Sequence, residues 1–109
     1  MKKLKIFCDG ASRGNPGPSG IGYVILDPSG KSLKEGSDFL GIRTNNQAEY
    51  YAAIRALEEA IELDAEEIEL YTDSDLLVKQ LKGEYQVRDP ELKTLYTSCL
   101  LYTSPIPRD

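Results

Sequence analysis

The chain has 109 residues, a formal net charge of −5, 40% apolar and 28% charged residues, and no histidine. That length makes one domain at most, with a single core, and the balance is ordinary for a globular protein. The acidic sign opposes general nucleic-acid binding, no apolar run approaches a membrane span, and no secretory hydrophobic segment opens the chain, so the cytoplasm is the expected compartment.

The first predicted element is a strand over residues 4–9. Lys3-Leu4-Lys5-Ile6-Phe7-Cys8 has strand composition and ends in Asp9-Gly10. Asp9 is therefore expected where a strand gives out into a loop, the place at which open α/β sheets collect ligands. Cys8 reads as a small buried hydrophobe. The run Gly10-Ala11-Ser12-Arg13-Gly14-Asn15-Pro16-Gly17-Pro18-Ser19-Gly20 is too rich in glycine and proline to continue a strand and predicts an ordered loop. No Gly-Lys-Ser/Thr follows, so it is not a phosphate-cradling P-loop. It is either a plain connection or a substrate edge lined by backbone amides, Ser12 and Asn15.

Residues 21–26 predict a strand, Asp27-Pro28-Ser29-Gly30 a type I turn, and residues 31–40 the returning strand, irregular near Gly36. Short connections make these three strands an antiparallel meander. Thr44 with Gln47 three residues on is a capping box that opens a helix. Tyr50, Ala53, Ile54, Leu57 and Ile61 recur at helical spacing as its buried stripe. Glu49 heads a row with Ala53, Ala56 and Ala60 that would let the helix lie close on a sheet. It is either a functional carboxylate or an acid placed by the helix dipole. Glu58, Glu59, Glu62, Asp64, Glu66 and Glu67 read as a solvated face and turn.

Residues 66–72 predict a strand, with Ile68 and Leu70 on one face and Asp73 at its end. Asp73-Ser74 caps a short helix over residues 75–81, ended by Gly83, and a last helix is expected near Asp89-Pro90-Glu91.

A strand–helix–strand order makes the outer strands parallel neighbours with the helix running against them. Asp9, Glu49 and Asp73 are then expected to converge at one sheet end. Two carboxylates about 4 Å apart repel by roughly 4 kcal/mol at an effective dielectric near 20, so such a cluster takes up protons or cations. Without histidine, and with Cys8 and Cys99 as the two cysteines, zinc is disfavoured. A hard ion held by oxygen, Mg²⁺ or Mn²⁺, is expected.

Three blocks, DGASRGNPGPSG, TNNQAEYYAAIRALEEA and YTDSDLLVKQLKGEYQVRDPELKTLY, closely resemble the type I ribonuclease H family, in its compact form without the basic handle helix. The resemblance runs from about Lys3 to Tyr96. It implies a ribonuclease H-like α/β fold: a mixed sheet of three antiparallel strands plus a parallel one, flanked by helices. It implies a monomeric Mg²⁺-dependent endonuclease that cuts the RNA strand of RNA–DNA hybrids through two metal ions. Asp9, Glu49 and Asp73 match three of the family's four catalytic carboxylates. Gly10, Ser12, Asn15, Asn45 and Asn46 match positions for hybrid contacts, which reach 2′-hydroxyls rather than base sequence. Asp75 departs from many relatives. The family's fifth strand, histidine-bearing loop and last helix with the fourth carboxylate have no counterpart here, and Asp109 is in no comparable context. Residues 99–109, CLLYTSPIPRD, lack helical periodicity, contain Pro105 and Pro107, and resemble a translated sequencing adapter. The expectation is an incomplete catalytic domain over residues 1–98 and a poorly ordered non-native tail over 99–109. The alternative is a catalytically defective fragment that at most binds hybrids.

Overall fold

A computed structural model describes residues 3–82. Its elements, in chain order, are β1 (Lys3–Ser12), β2 (Gly17–Leu26), β3 (Ser32–Arg43), α1 (Asn45–Glu62), β4 (Glu67–Thr72) and α2 (Asp75–Leu81). Among the described residues the strands form one sheet in the order β3-β2-β1-β4, with β1 antiparallel to β2 and parallel to β4. The helix expected near Asp89, Gly83 as a helix stop and the 99–109 segment lie outside the described residues.

Alternation decides which face of β1 is covered. Leu4, Ile6, Cys8 and Gly10 are buried, whereas Phe7, Asp9 and Ala11 are exposed. The covered face packs under α1, where Leu4, Ile6, Ile21, Tyr23 and Ile25 meet Tyr50, Ala52, Ala53, Ala56, Leu57 and Ala60. The predicted alanine row is fully buried. Small side chains there let the helix lie close against the sheet. Ion pairs Lys34–Glu59 and Arg55–Asp38 tie β3 to the same helix. α2 joins it through buried Leu77 and a bond from the Tyr50 hydroxyl to Gln80 Oε1.

Five expectations need correction. The strand does not give out at Asp9, which pairs with Gly22, and the ladder continues to Ser12 opposite Ser19. Gly17, Pro18 and Gly20 of the expected loop instead lie in extended backbone at the start of β2, and Gly10 lies in β1, leaving a tight turn over residues 13–16. Gly14 at φ 78° and a bond from Arg13 N–H to Pro18 O (2.8 Å) close that turn. β3 runs on to Arg43, and its irregularities lie between Ser19 and Gly20 and between Ile25 and Leu26, not at Gly36, which pairs with Tyr23. Ile61 is 44% exposed rather than part of the stripe, because Ala60 already fills the last contact with the sheet. β4 begins at Glu67, one residue later than expected.

The remaining turn matches its prediction. Gly30 N–H donates to Asp27 O at 2.9 Å, and the Asp27 carboxylate accepts from the amides of Ser29 and Lys31. Cys8 is buried at 6% exposure.

Candidate active site

The β1–β4 ladder ends at Cys8 opposite Thr72. Asp9 and Asp73 are the next residue on each strand, so two acids sit side by side at the carboxyl end of the one parallel pair. Both are exposed, and both line an open groove of about 1080 Å³ on the face away from α1. Phe7 and Tyr71, two residues back on their strands, stack with ring centroids 4.7 Å apart and form part of the same wall. Asp9 also lines an adjoining trough of about 830 Å³ that runs over Gly20 and Gly22 towards Phe39.

Glu49 comes from the other side of the sheet. The Thr44 capping box fixes where α1 begins: Gln47 N–H donates to Thr44 Oγ1 (3.1 Å) and Thr44 N–H to Gln47 Oε1 (2.9 Å). Glu49 then falls in the second turn on the covered face, 8% exposed, and its Oε1 accepts the Gly10 N–H at 3.1 Å. Burial pushes its carboxyl pKa up, the Gly10 amide pulls it down, and the negative charges of Asp9 and Asp73 push it further up. The three acids therefore share one electrostatic neighbourhood. Among the described residues, no three acidic, histidine or cysteine side chains are arranged to hold one metal ion together.

The other sequence-predicted residues form a knot between the β1–β2 turn and the head of α1. Ser12 N–H donates to Asn45 Oδ1 (3.1 Å) and Asn45 N–H to Asn15 Oδ1 (2.9 Å). The Ser12 hydroxyl is close to Gly14 O and donates within reach of Arg43 O (3.0 Å). Asn46 is exposed at the second position of the helix. Gly10, expected to face a substrate, is buried between β1 and α1. Two participants were not foreseen. Ser19, 2% exposed, binds the same Arg43 carbonyl (3.2 Å), and the Arg43 guanidinium lies over the Tyr51 ring at 5.4 Å. The pairing of Ser12 with Ser19 was the signal for the first, and it could be read only once β2 is known to start at Gly17.

Comparison with known proteins agrees with this geometry. The family model described as reverse transcriptase-like matches residues 7–104. Ribonuclease HI of Halobacterium salinarum is 47% identical over 91 residues, which are 84% of this chain and 46% of that protein. The chain thus spans about half the length of this curated relative. Among solved structures, the N-terminal ribonuclease H domain of a Mycobacterium tuberculosis protein, fused to maltose binding protein, superposes with a TM-score of 0.91. It is 39% identical and covers 94% of this chain and 74% of that one. LC11 ribonuclease H1, crystallised with an RNA/DNA hybrid, gives a TM-score of 0.86 at 41% identity over 94% of this chain and 79% of that one. Topology and similarity together define an α/β protein with the ribonuclease H-like fold. Within that class, the chain belongs to the type I ribonuclease H family.

Proposed function

We propose that this chain carries the catalytic part of an endonuclease that hydrolyses the RNA strand of RNA–DNA hybrids, with Asp9, Glu49 and Asp73 as the carboxylates that hold divalent metal. The observation that supports it is the placing of Glu49, a buried acid held by the Gly10 amide, whose proton affinity is raised first by burial and then by the negative charges of Asp9 and Asp73 at the end of a parallel strand pair. Surroundings that favour a proton for this reason also favour a cation. The donor set is oxygen only, which suits Mg²⁺ and, as a substitute, Mn²⁺. Asp9 and Asp73 are exposed, so their side chains are free to turn towards an ion that offsets their mutual repulsion. When bound, divalent ions would supply an activated water and stabilise the leaving oxygen of the phosphodiester.

The chain's own residues have separable tasks. Gly10 holds Glu49, while Asp9 and Asp73 present carboxylates to the open groove. Asn15 and Asn45 each spend the side-chain oxygen inside the knot, which leaves the NH₂ group of each for acceptors outside. Phosphate oxygens, 2′-hydroxyls and minor-groove base edges are such acceptors, and 2′-hydroxyls are what distinguish an RNA strand. The hybrid-bound LC11 relative supports that substrate class.

A second reading, a hybrid-binding module without cleavage, is favoured by the lack of a ready three-ligand arrangement among the described residues. One assay separates the two. Labelled hybrid, duplex RNA and duplex DNA are incubated with the full chain in Mg²⁺, Mn²⁺ or chelator. Cleavage of the RNA strand alone, and only with a divalent ion, is the expected result. Hybrid binding without cleavage selects the second reading, and neither activity removes both.

A further inference from the structure

Gly10 is not a glycine for conformational reasons, because the described glycines with positive φ are Gly14, Gly30 and Gly41. Its missing side chain answers to packing. A Cβ at position 10 would lie 2.1 Å from Ala48 O, 2.3 Å from Ala48 C and 2.8 Å from Glu49 N. All three are backbone atoms of the second turn of α1, so they cannot rotate away as a side chain would. The Gly10 amide also donates to Glu49 Oε1. One residue thus touches Glu49 twice, through the helix backbone that carries it and through the carboxylate itself.

We propose that Gly10 is a positioning residue, a lock between β1 and α1 whose absent side chain and amide hydrogen together fix Glu49 at the sheet end. The role rests on the metal-site reading above for its purpose, though not for its geometry. Any side chain at position 10 displaces the head of α1, and Glu49 moves away from Asp9 and Asp73 with it. Gly36 supplies the control, since a Cβ there would meet the Tyr23 hydroxyl at 2.4 Å, a close contact between β3 and β2 that leaves the backbone of α1 untouched and that the Tyr23 side chain can partly relieve by shifting.

The test compares the full wild-type chain with Gly10→Ala and Gly36→Ala by melting temperature, hydrogen exchange at the amides of residues 46–50, and Mg²⁺ affinity by calorimetry. Both variants are expected to melt lower. Only Gly10→Ala should expose residues 46–50 to exchange and weaken Mg²⁺ by about tenfold or more, the usual cost of losing a ligand's support. Should Gly10→Ala fail to fold, a glycolic-acid ester at position 10 adds no side chain and replaces the amide N–H by an oxygen that cannot donate to Glu49. It should fold and still bind Mg²⁺ several-fold more weakly. Wild-type exchange and affinity in Gly10→Ala, or wild-type affinity in the ester, overturns the lock. A wild-type chain that binds no Mg²⁺ and cuts no hybrid overturns the metal-site reading instead, and the exchange data then decide the lock alone.

Discussion

Glu49 is a carboxylate held against its own charge. It is nearly sealed from solvent, and two like charges face it. Its folded-state proton affinity lies above that of a glutamate in the unfolded chain. Between the ordinary carboxylate range and the raised pKa the native state therefore binds more protons, and stability falls as pH rises through that window. Glu49→Gln removes this penalty. Without divalent ions it should melt a few degrees above wild type at pH 7, and the two curves should converge in acid. Mg²⁺ should raise the melting temperature of wild type and leave Glu49→Gln almost unmoved. A variant less stable than wild type at pH 7 would show that the carboxylate is not a source of strain. For activity, Asp9→Asn or Asp73→Asn should lower cleavage by at least about 100-fold, because each loses both a ligand and its charge. Wild-type rates in either would remove the three-carboxylate mechanism. The asparagines need a finer probe, since each has an internal and an external half. Asn45→Asp keeps an oxygen for the Ser12 amide and loses the outward NH₂. It should fold normally and raise the hybrid concentration needed by about tenfold, the size of one hydrogen bond to a charged acceptor, with little change in kcat. A pure kcat defect would count against a contact role.

At the scale of elements, α1 was the most legible part of the chain, because its start and its packed row are both written locally. Thr44 and Gln47 stand three apart, and Ala53, Ala56 and Ala60 continue the row from Glu49. Thr44→Ala should therefore cost about 1 kcal/mol, typical of a lost N-cap. Ala53→Leu or Ala56→Leu should cost about 1–3 kcal/mol by overpacking a closed contact. Substitution of exposed Ile61 should change little, and urea unfolding of the three would show it. What stayed hidden was non-local. Gly10 to Ser12 and Gly17 to Gly20 look like loop because glycine and proline weaken a strand. Their extension is enforced by pairing: Ala11 and Ser12 with Gly20 and Ser19 across the turn, Gly10 with Ile21, and Gly17 and Pro18 with Arg43 and Ile42 on β3. The bulges that leave Leu33 and Leu40 unpaired follow from the register between β2 and β3, which no local pattern encodes. The candidate site was legible as three acids on three elements, because the Thr44 capping box and the acid that follows the 67–72 strand are local signals, whereas Asp9 was marked by the end of an apolar run although β1 continues to Ser12. The part Gly10 plays was not legible, because it depends on how closely α1 approaches β1.

At the scale of the whole molecule, the sign of the charge sets how a polyanion can be held. The chain has 18 acidic against 13 basic residues, so no broad positive field steers a hybrid onto it. Near the site, among the described residues, the contacts on offer are neutral amide donors at Asn15 and Asn45, exposed Arg13 on the trough beside Asp9, the Arg43 guanidinium over Tyr51, and whatever cations the carboxylates would recruit. Neutral donors release no counterions from the nucleic acid. The affinity for hybrid should then depend weakly on monovalent salt, with a log–log slope of magnitude below about 3, where a protein reaching six or more phosphates through lysine and arginine would exceed about 5. The same affinity should depend strongly on Mg²⁺, because divalent ions at the proposed ligands Asp9, Glu49 and Asp73 would turn a repulsive patch into an attractive one. The two dependences come from one titration series on the wild-type chain with a chemically uncleavable hybrid: KCl varied at fixed Mg²⁺, then Mg²⁺ varied at fixed KCl. A steep KCl slope with no response to Mg²⁺ would mean that an unrecognised basic surface carries the binding. A shallow slope with a marked Mg²⁺ response in the wild-type chain, reduced in Asp73→Asn, would place the attraction at the carboxylates themselves.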